Sequence, residues 1–186
     1  MTRGSGLKGL ISLDKKNKIG EKYILRPLID QQKENLKFIS KEVFNFYIKD
    51  PSNDDEKFQR IKIRKLINFL EKNGLDQKKF LMTIRNLKSS NSVIDFYVSE
   101  NLNKNTFFYN DDNKMILNRG FFLQPYEIIF RGLSEILKFV SKRYYFVRGK
   151  KLDKMISHIQ NNSLFRATLG GCIVEKVNQS IIISKE

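Results

Sequence analysis

Residues 50–64 read Asp50-Pro-Ser-Asn-Asp-Asp-Glu-Lys-Phe-Gln-Arg-Ile-Lys-Ile-Arg64, a turn that leads into a helix. Proline disfavours the α region in the residue before it, so Asp50 is expected to be extended. Asn53 then fits the N-cap position, and Glu56 three residues later completes a capping box. The pattern predicts a helix that begins close to Asn53.

The predicted helix carries two arginines beside an apolar stripe. Apolar residues occupy positions 63, 66, 67 and 70, which is the i, i+3, i+4, i+7 spacing of one helix face. Arg60 and Arg64 lie at the edge of that face, so both guanidinium groups are expected to project together beside a packed interface. Because arginine binds phosphate oxygens bidentately, the pair is a candidate phosphate or polyphosphate site. The alternative is a solvated face whose arginines pair with nearby acids.

The composition indicates a folded and strongly basic chain. Of its 186 residues, 40% are hydrophobic, and 15 Phe with 7 Tyr argue against disorder. Lysine and arginine number 35 against 20 acidic residues, which gives a formal charge of +15. Such an excess favours a polyanionic partner, with nucleic acid ahead of an acidic membrane surface. The alternative is that an AT-rich genome simply encodes many lysines.

Cysteine content and hydropathy argue against a disulfide-stabilised secreted protein and against a membrane-spanning protein. The single cysteine, Cys172, forms no internal disulfide and fits a reducing cytoplasm. No apolar run approaches the roughly 18 residues of a membrane span, and there is no secretory signal. His158 is the sole histidine and has no partner at ligand spacing, so no protein metal site is predicted. We expect a cytoplasmic protein.

The first part of the chain holds a glycine-rich segment and a short strand. The backbone amides of Arg3, Gly4, Ser5 and Gly6 are a candidate anion-binding site. The alternative is that this glycine-rich segment is simply a flexible chain terminus. Residues 23–28 are predicted to form a strand that ends at a proline, and residues 30–43 are predicted to form a helix. Residues 46–48 are predicted to be a further extended piece whose aromatic side chains lie in the core.

The rest of the chain predicts a separate helical and β domain after Gly74. Asp76 caps a helix whose stripe weakens at residues 89–92, where a break is possible. Residues 106–117 form a hairpin, and Pro125 opens a helix that turns its apolar face inward. The last strands form a hairpin or small meander around a tight bend at Gly170-Gly171.

A basic run at residues 131–154 is the candidate nucleic-acid surface. It has eight basic residues against Glu135 and Asp153, a local charge of 8 − 2 = +6, with aromatic residues at positions 144–146. Cations between aromatic rings suit RNA, while a solvated helix face is the alternative. The candidate contacts are Lys142, Arg143, Arg148, Lys150 and Lys151.

Four segments resemble the tRNA(Ile)-lysidine synthase family of N-type ATP pyrophosphatases. The segments are Arg3–Leu10, Arg26–Leu28, Asp50–Arg64 and Arg166–Cys172. Ile61 stands where the family often has Asn, and residues 75–151 match only in helical character.

The resemblance implies a tRNA-modifying ligase. In that family ATP and Mg²⁺ serve to adenylate the wobble cytidine of tRNA(Ile), and L-lysine then displaces AMP. Arg60 and Arg64 would be catalytic residues at the nucleotide site, and Arg3 to Gly6 would shape the neighbouring loop. Neither the family's Ser-Gly-Gly-x-Asp-Ser loop nor its His-x-x-Asp-Asp motif occurs here. The chain is therefore expected to be a fragment that is inactive alone and works with a separate N-terminal ATP-binding half.

The predicted fold is mixed α/β. Residues 1–72 would be the C-terminal part of the nucleotide-binding domain, and residues 75–186 a helical domain with a small antiparallel sheet that binds tRNA. Another possibility is a non-catalytic basic RNA-binding module. A third is a cytidine-thiolating relative, which the single Cys172 argues against because such enzymes rely on cysteine pairs.

Overall fold

A computed structural model describes residues 6–19, 22–48, 50–51, 57–109, 113–143 and 145–186, which fall into two units, Met1–Ser89 and Ser90–Glu186. Helices and short antiparallel strands alternate along these residues, which confirms the mixed α/β class. The first unit contains α1 (Gly6–Leu10), β1 (Lys16–Ile19), β2 (Lys22–Leu25), α2 (Lys33–Phe44), α3 (Gln59–Lys72) and the start of α4 (Gln77–Asn105).

The predicted strand near Tyr23 is half of a hairpin. Strands β1 and β2 pair antiparallel, with Lys16 opposite Leu25. Arg26 closes the open end of this hairpin, because its Nη1 donates to Asn17 Oδ1 at 2.6 Å and to the Asp14 carbonyl at 3.3 Å. The described strands of the first unit form this one antiparallel hairpin.

Helix α3 begins later than the capping pattern predicted. Its first residue is Gln59, and Phe58 occupies the N-cap position without a side-chain cap bond. Asn53 and Glu56 lie outside the described residues. The core position predicted for the rings of Phe46 and Tyr47 was wrong, because both side chains are exposed.

The apolar stripe of α3 is largely exposed. Leu66, Ile67 and Leu70 keep 54%, 41% and 41% of their surface accessible, whereas Ile61 is buried. The packed interface predicted beside Arg60 and Arg64 is therefore not formed by the residues that the structure describes. An apolar helix face of this kind is a surface on which further protein can pack.

Helix α4 runs unbroken for 29 residues. Asp76 caps its start as predicted, since its Oδ1 accepts from the backbone N–H of Lys78 at 2.7 Å and of Lys79 at 3.4 Å. The possible break at residues 89–92 does not occur. The division between the two units falls inside this helix.

The second unit is built on a five-stranded antiparallel sheet of order β3-β4-β7-β6-β5. A 3₁₀ turn at Arg119–Leu123 and two helices follow the first hairpin. A meander of the last three strands closes the unit, and this meander is one of the two arrangements predicted for that part of the chain. The elements are β3 (Thr106–Tyr109), β4 (Lys114–Leu117), α5 (Tyr126–Ser141), α6 (Gly149–Gln160), β5 (Arg166–Leu169), β6 (Cys172–Val177) and β7 (Ser180–Lys185).

One face of α5 supplies the centre of the core. Ile129, Leu133 and Leu137 are fully buried, which confirms the periodicity prediction. Phe121 packs against the same helix at Gly132, where an added Cβ would lie 3.0 Å from the Phe121 ring. A glycine at that point of α5 lets the ring approach the helix backbone.

Arg131 belongs to this interior and not to the predicted basic surface. It is 5% exposed. Its guanidinium donates to Asn91 Oδ1 at 2.7 Å, Asp95 Oδ1 at 3.0 Å and Glu127 Oε1 at 2.7 Å. Arginine is the usual choice for such a buried ion pair because its planar fork serves several acceptors at once. Arg131 therefore ties the second part of α4 to α5.

Tyr126 gives the second unit a predictable response to alkali. Burial, followed by the hydrogen bond that its hydroxyl donates to Asp153, raises the pKa of Tyr126 to about 12. Since the folded pKa exceeds the ordinary value, this tyrosine stabilises the fold below pH 10, and that contribution disappears as the pH rises towards 12. We expect the difference between tyrosinate absorbance titrations of the wild type and Tyr126→Phe to have its midpoint near pH 12. A midpoint near 10 would contradict the assignment.

Candidate nucleic-acid interface

A groove of about 620 Å³ in the second unit gathers much of the predicted basic run. One wall comes from the end of α5 and the start of α6, and the other from the turn between β5 and β6. We call it the basic groove. Its charged side chains are Lys138, Arg143, Arg148, Lys151 and Glu186, four cations against one carboxylate.

The end of α5 directs the chain into the groove. Lys142 adopts the left-handed conformation with φ of 56°, and its N–H donates to the Phe139 carbonyl at 3.3 Å. Ser141 Oγ then accepts from the backbone N–H of Arg143 at 3.3 Å. These bonds terminate the helix so that Arg143 lies in the lining of the groove.

Gly170 and Gly171 form the two-residue turn of the opposite wall. Their φ values are +67° and +81°, a region that side chains disfavour. An added Cβ on Gly170 would lie 2.5 Å from Val147 Cγ2, and one on Gly171 would lie 2.7 Å from Arg143 Nε. The turn needs glycine for its backbone conformation and again for close approach of the facing wall.

Two aromatic rings lie beside the cations of the groove. Tyr145 is 80% exposed and Phe146 is 49% exposed. Lys138 Nζ lies 4.4 Å from the centroid of the Phe146 ring, within cation–π distance. Arg148 occupies the N-cap position of α6, and Lys151 follows in the first turn. Cations and solvent-exposed aromatic side chains therefore share one concave surface.

The structure brings together three of the five predicted nucleic-acid contacts. Arg143, Arg148 and Lys151 line the groove, whereas Lys142 and Lys150 are exposed outside its lining. Tyr144 lies outside the described residues. The glycine turn was not predicted as the facing wall of the groove, although the Gly170-Gly171 pair predicted a tight bend.

The predicted nucleotide-site residues lie in the first unit. Arg60 and Arg64 are both exposed and one turn apart on α3. Ile61, at the position where the resembled family often has Asn, is buried. Gly6 begins α1 with φ of 49°, and Arg3, Gly4 and Ser5 lie outside the described residues.

Cys172 and His158 each have a local hydrogen-bond partner in the second unit. Burial raises the pKa of the Cys172 thiol, whose Sγ donates to the Leu137 carbonyl at 3.4 Å. His158 Nδ1 lies 3.0 Å from Ser163 Oγ. Among the described residues no three His, Cys, Asp or Glu side chains gather as metal ligands. No helix in the same residues combines the length and apolar character needed to cross a bilayer.

Comparison with known proteins shows two kinds of similarity. Residues 1–70 match the family model of the PP-loop domain. The tRNA(Ile)-lysidine synthases of Wolbachia sp. subsp. Brugia malayi (strain TRS) and Wolbachia pipientis wMel are 25% and 26% identical over 187 aligned residues, which cover 100% of this chain. The chain resembles the tRNA(Ile)-lysidine synthases along its whole length. The enzyme of that name from Ruegeria pomeroyi is 24% identical and covers 92% of this chain.

The resemblance extends further than the sequence motifs indicated. The alignment with both Wolbachia lysidine synthases includes residues 75–151, where the sequence analysis found only helical character. The chain spans 43% of the length of each of these two relatives and 40% of the Ruegeria enzyme. It thus corresponds to less than half of a lysidine synthase of that size.

Proposed function

We propose that the chain is part of a tRNA-modifying ligase that joins L-lysine to the wobble cytidine of tRNA(Ile) through an adenylated intermediate. The observation that carries the proposal is the full-length likeness to lysidine synthases, together with the PP-loop match at residues 1–70. That likeness supports ATP use and tRNA processing. A cytoplasmic location is part of the proposal, since tRNA is the substrate of the proposed ligase.

The proposal gives Arg60 and Arg64 a role at the nucleotide. Both guanidinium groups would offset negative charge on the α-phosphate or on the departing pyrophosphate, where fixed cations act on charge as it develops. The Ser-Gly-Gly-x-Asp-Ser loop does not occur in the printed sequence. The proposal therefore assigns the pyrophosphate cradle to a polypeptide segment other than these 186 residues.

Magnesium has no assigned ligands in this proposal. Family resemblance implies Mg²⁺ as the companion of ATP, and carboxylate oxygens are its usual protein ligands. The described residues contain no cluster of three such groups. No step is therefore attributed to the metal here.

The basic groove supports binding of tRNA by the second unit. It carries four cations against one carboxylate, and such a surface gains affinity for a polyanion by releasing its counterions. A second candidate function, a non-catalytic RNA-binding module, is favoured by the same groove. The two differ in whether ATP is consumed.

An assay of AMP formation separates these two functions. The chain replaces the matching segment of the Wolbachia pipientis lysidine synthase, and AMP is measured with ATP, lysine and tRNA(Ile). We expect AMP formation that requires both lysine and tRNA. A folded chimera that binds tRNA but releases no AMP, beside an active parent enzyme, would support the RNA-binding module and contradict the ligase.

A further inference from the structure

The basic groove combines a concave shape, clustered cations and exposed rings. We propose that it binds a single-stranded RNA segment, with successive phosphates held by Arg143, Arg148 and Lys151 and an unpaired base stacked on Tyr145 or Phe146. This inference rests on the RNA-binding part of the proposed function and names the form of RNA that the site takes.

The exposed rings favour an unpaired nucleotide over a duplex. Tyr145 and Phe146 keep 80% and 49% of their surface accessible on the same groove that holds the cations. In double-stranded RNA the base faces are already stacked, and proteins contact mainly 2′-hydroxyls and phosphates. An unpaired base offers its face to an aromatic ring, and its own phosphate reaches the neighbouring cations.

Arg143 lies against the glycine turn of the facing wall. Its Nε, Nη2 and Cζ atoms would lie 2.7, 2.7 and 2.8 Å from a Cβ built on Gly171. The guanidinium therefore rests against the glycine turn. Because a guanidinium binds phosphate oxygens bidentately, its contact with the turn affects where such a phosphate can bind.

Gly171 is accordingly a positioning residue that acts through Arg143. A methyl group at this position would push the guanidinium off the turn. Gly170 provides a matched control, because it shares the turn and has positive φ, but its added methyl would meet Val147 instead. Alanine at either glycine strains the backbone, but only alanine at Gly171 displaces the Arg143 guanidinium.

The test compares single-stranded with double-stranded RNA on the full chain. Fluorescence anisotropy is measured with a labelled RNA of about 12 nucleotides and with its duplex, at about 50 mM salt. We expect the single strand to bind at least about tenfold more tightly, and Tyr145→Ala to lower that affinity by about tenfold while leaving duplex affinity unchanged. Arg143→Gln should weaken single-strand binding by a similar factor.

Gly171→Ala tests the positioning role through a double-mutant cycle. It should weaken single-strand binding several-fold in the wild type and have no further effect in Arg143→Gln, whereas Gly170→Ala should act equally in both backgrounds. A Gly171→Ala effect that is undiminished in Arg143→Gln would overturn the positioning role.

Two outcomes separate this inference from the proposed function. Equal or tighter binding of the duplex, or an unchanged affinity in Tyr145→Ala, would overturn the single-strand site and leave RNA binding in place. Absence of binding to either RNA would overturn both the inference and the RNA-binding part of the proposed function. The AMP assay reports on the ligase part separately.

Discussion

We expect replacement of Arg64 by alanine in the Wolbachia chimera to lower tRNA-dependent AMP formation by a factor of about 10²–10³, the usual loss when one fixed donor to developing charge is removed. Arg64 is exposed on α3, one turn from Arg60, so its side chain can reach a ligand without rearrangement of the core. Because the substitution is expected to remove stabilisation of the transition state only, the turnover number should fall while the affinity for tRNA remains unchanged. Steady-state AMP release with filter binding of tRNA measures both quantities.

Two variants on α3 control for effects on folding and on general charge. Lys62→Ala removes a cation from an exposed position on the same helix and should leave AMP formation unchanged. Arg64→Lys keeps the charge but loses the planar fork, and it should recover part of the rate. Equal losses in Lys62→Ala and Arg64→Ala would mean that α3 contributes only a diffuse field and that Arg64 has no specific role.

Phe121→Ala has the largest effect expected on stability, about 3–5 kcal/mol. The side chain is fully buried in the core of the second unit and contacts Gly132 of α5. A loss of this size is a large part of the roughly 5–15 kcal/mol that stabilises an ordinary domain. Hydrogen exchange of the β6 and β7 amides, which lie in the centre of that unit's sheet, measures the change directly.

Leu123→Ala is the matched control, because Leu123 ends the same 3₁₀ turn and is 71% exposed. In this variant the opening free energy of the β6 and β7 amides should remain within about 0.5 kcal/mol of the wild-type value, as for most surface substitutions. Similar losses of protection in the two variants would show that the turn itself, and not burial of the Phe121 ring, stabilises the unit.

The second unit was predictable because its patterns are local. The α5 periodicity placed Ile129, Leu133 and Leu137 inside, and each is fully buried. The Gly170-Gly171 pair predicted a tight bend, and both residues have positive φ. In these elements the side-chain spacing and the backbone demands of glycine act within a few residues.

The errors arose where partners are distant in sequence or where one pattern had two explanations. Arg131 was counted with the basic surface because Asn91 and Asp95, which hold it in the interior, lie on another helix. The aromatic run at residues 46–48 fits either a buried or an exposed segment, and its side chains are exposed.

The candidate site was partly predictable for the same reason. Clustering of basic residues after α5 indicated a nucleic-acid surface, and three of the five named cations line one groove. The facing wall comes from a hairpin much later in the chain, so no local pattern places Gly171 against Arg143. Tertiary structure supplied that juxtaposition.

The measurement that tests the account most directly is the affinity of the chain for tRNA(Ile) as a function of salt. The wild type is compared with a variant that carries Arg143→Gln, Arg148→Gln and Lys151→Gln. We predict steep weakening with salt in the wild type, and a slope of log K against log salt that is smaller by about 2 in the variant, because three phosphate contacts on single-stranded RNA are lost. Equal affinities and equal slopes for the two proteins would contradict tRNA binding by the basic groove.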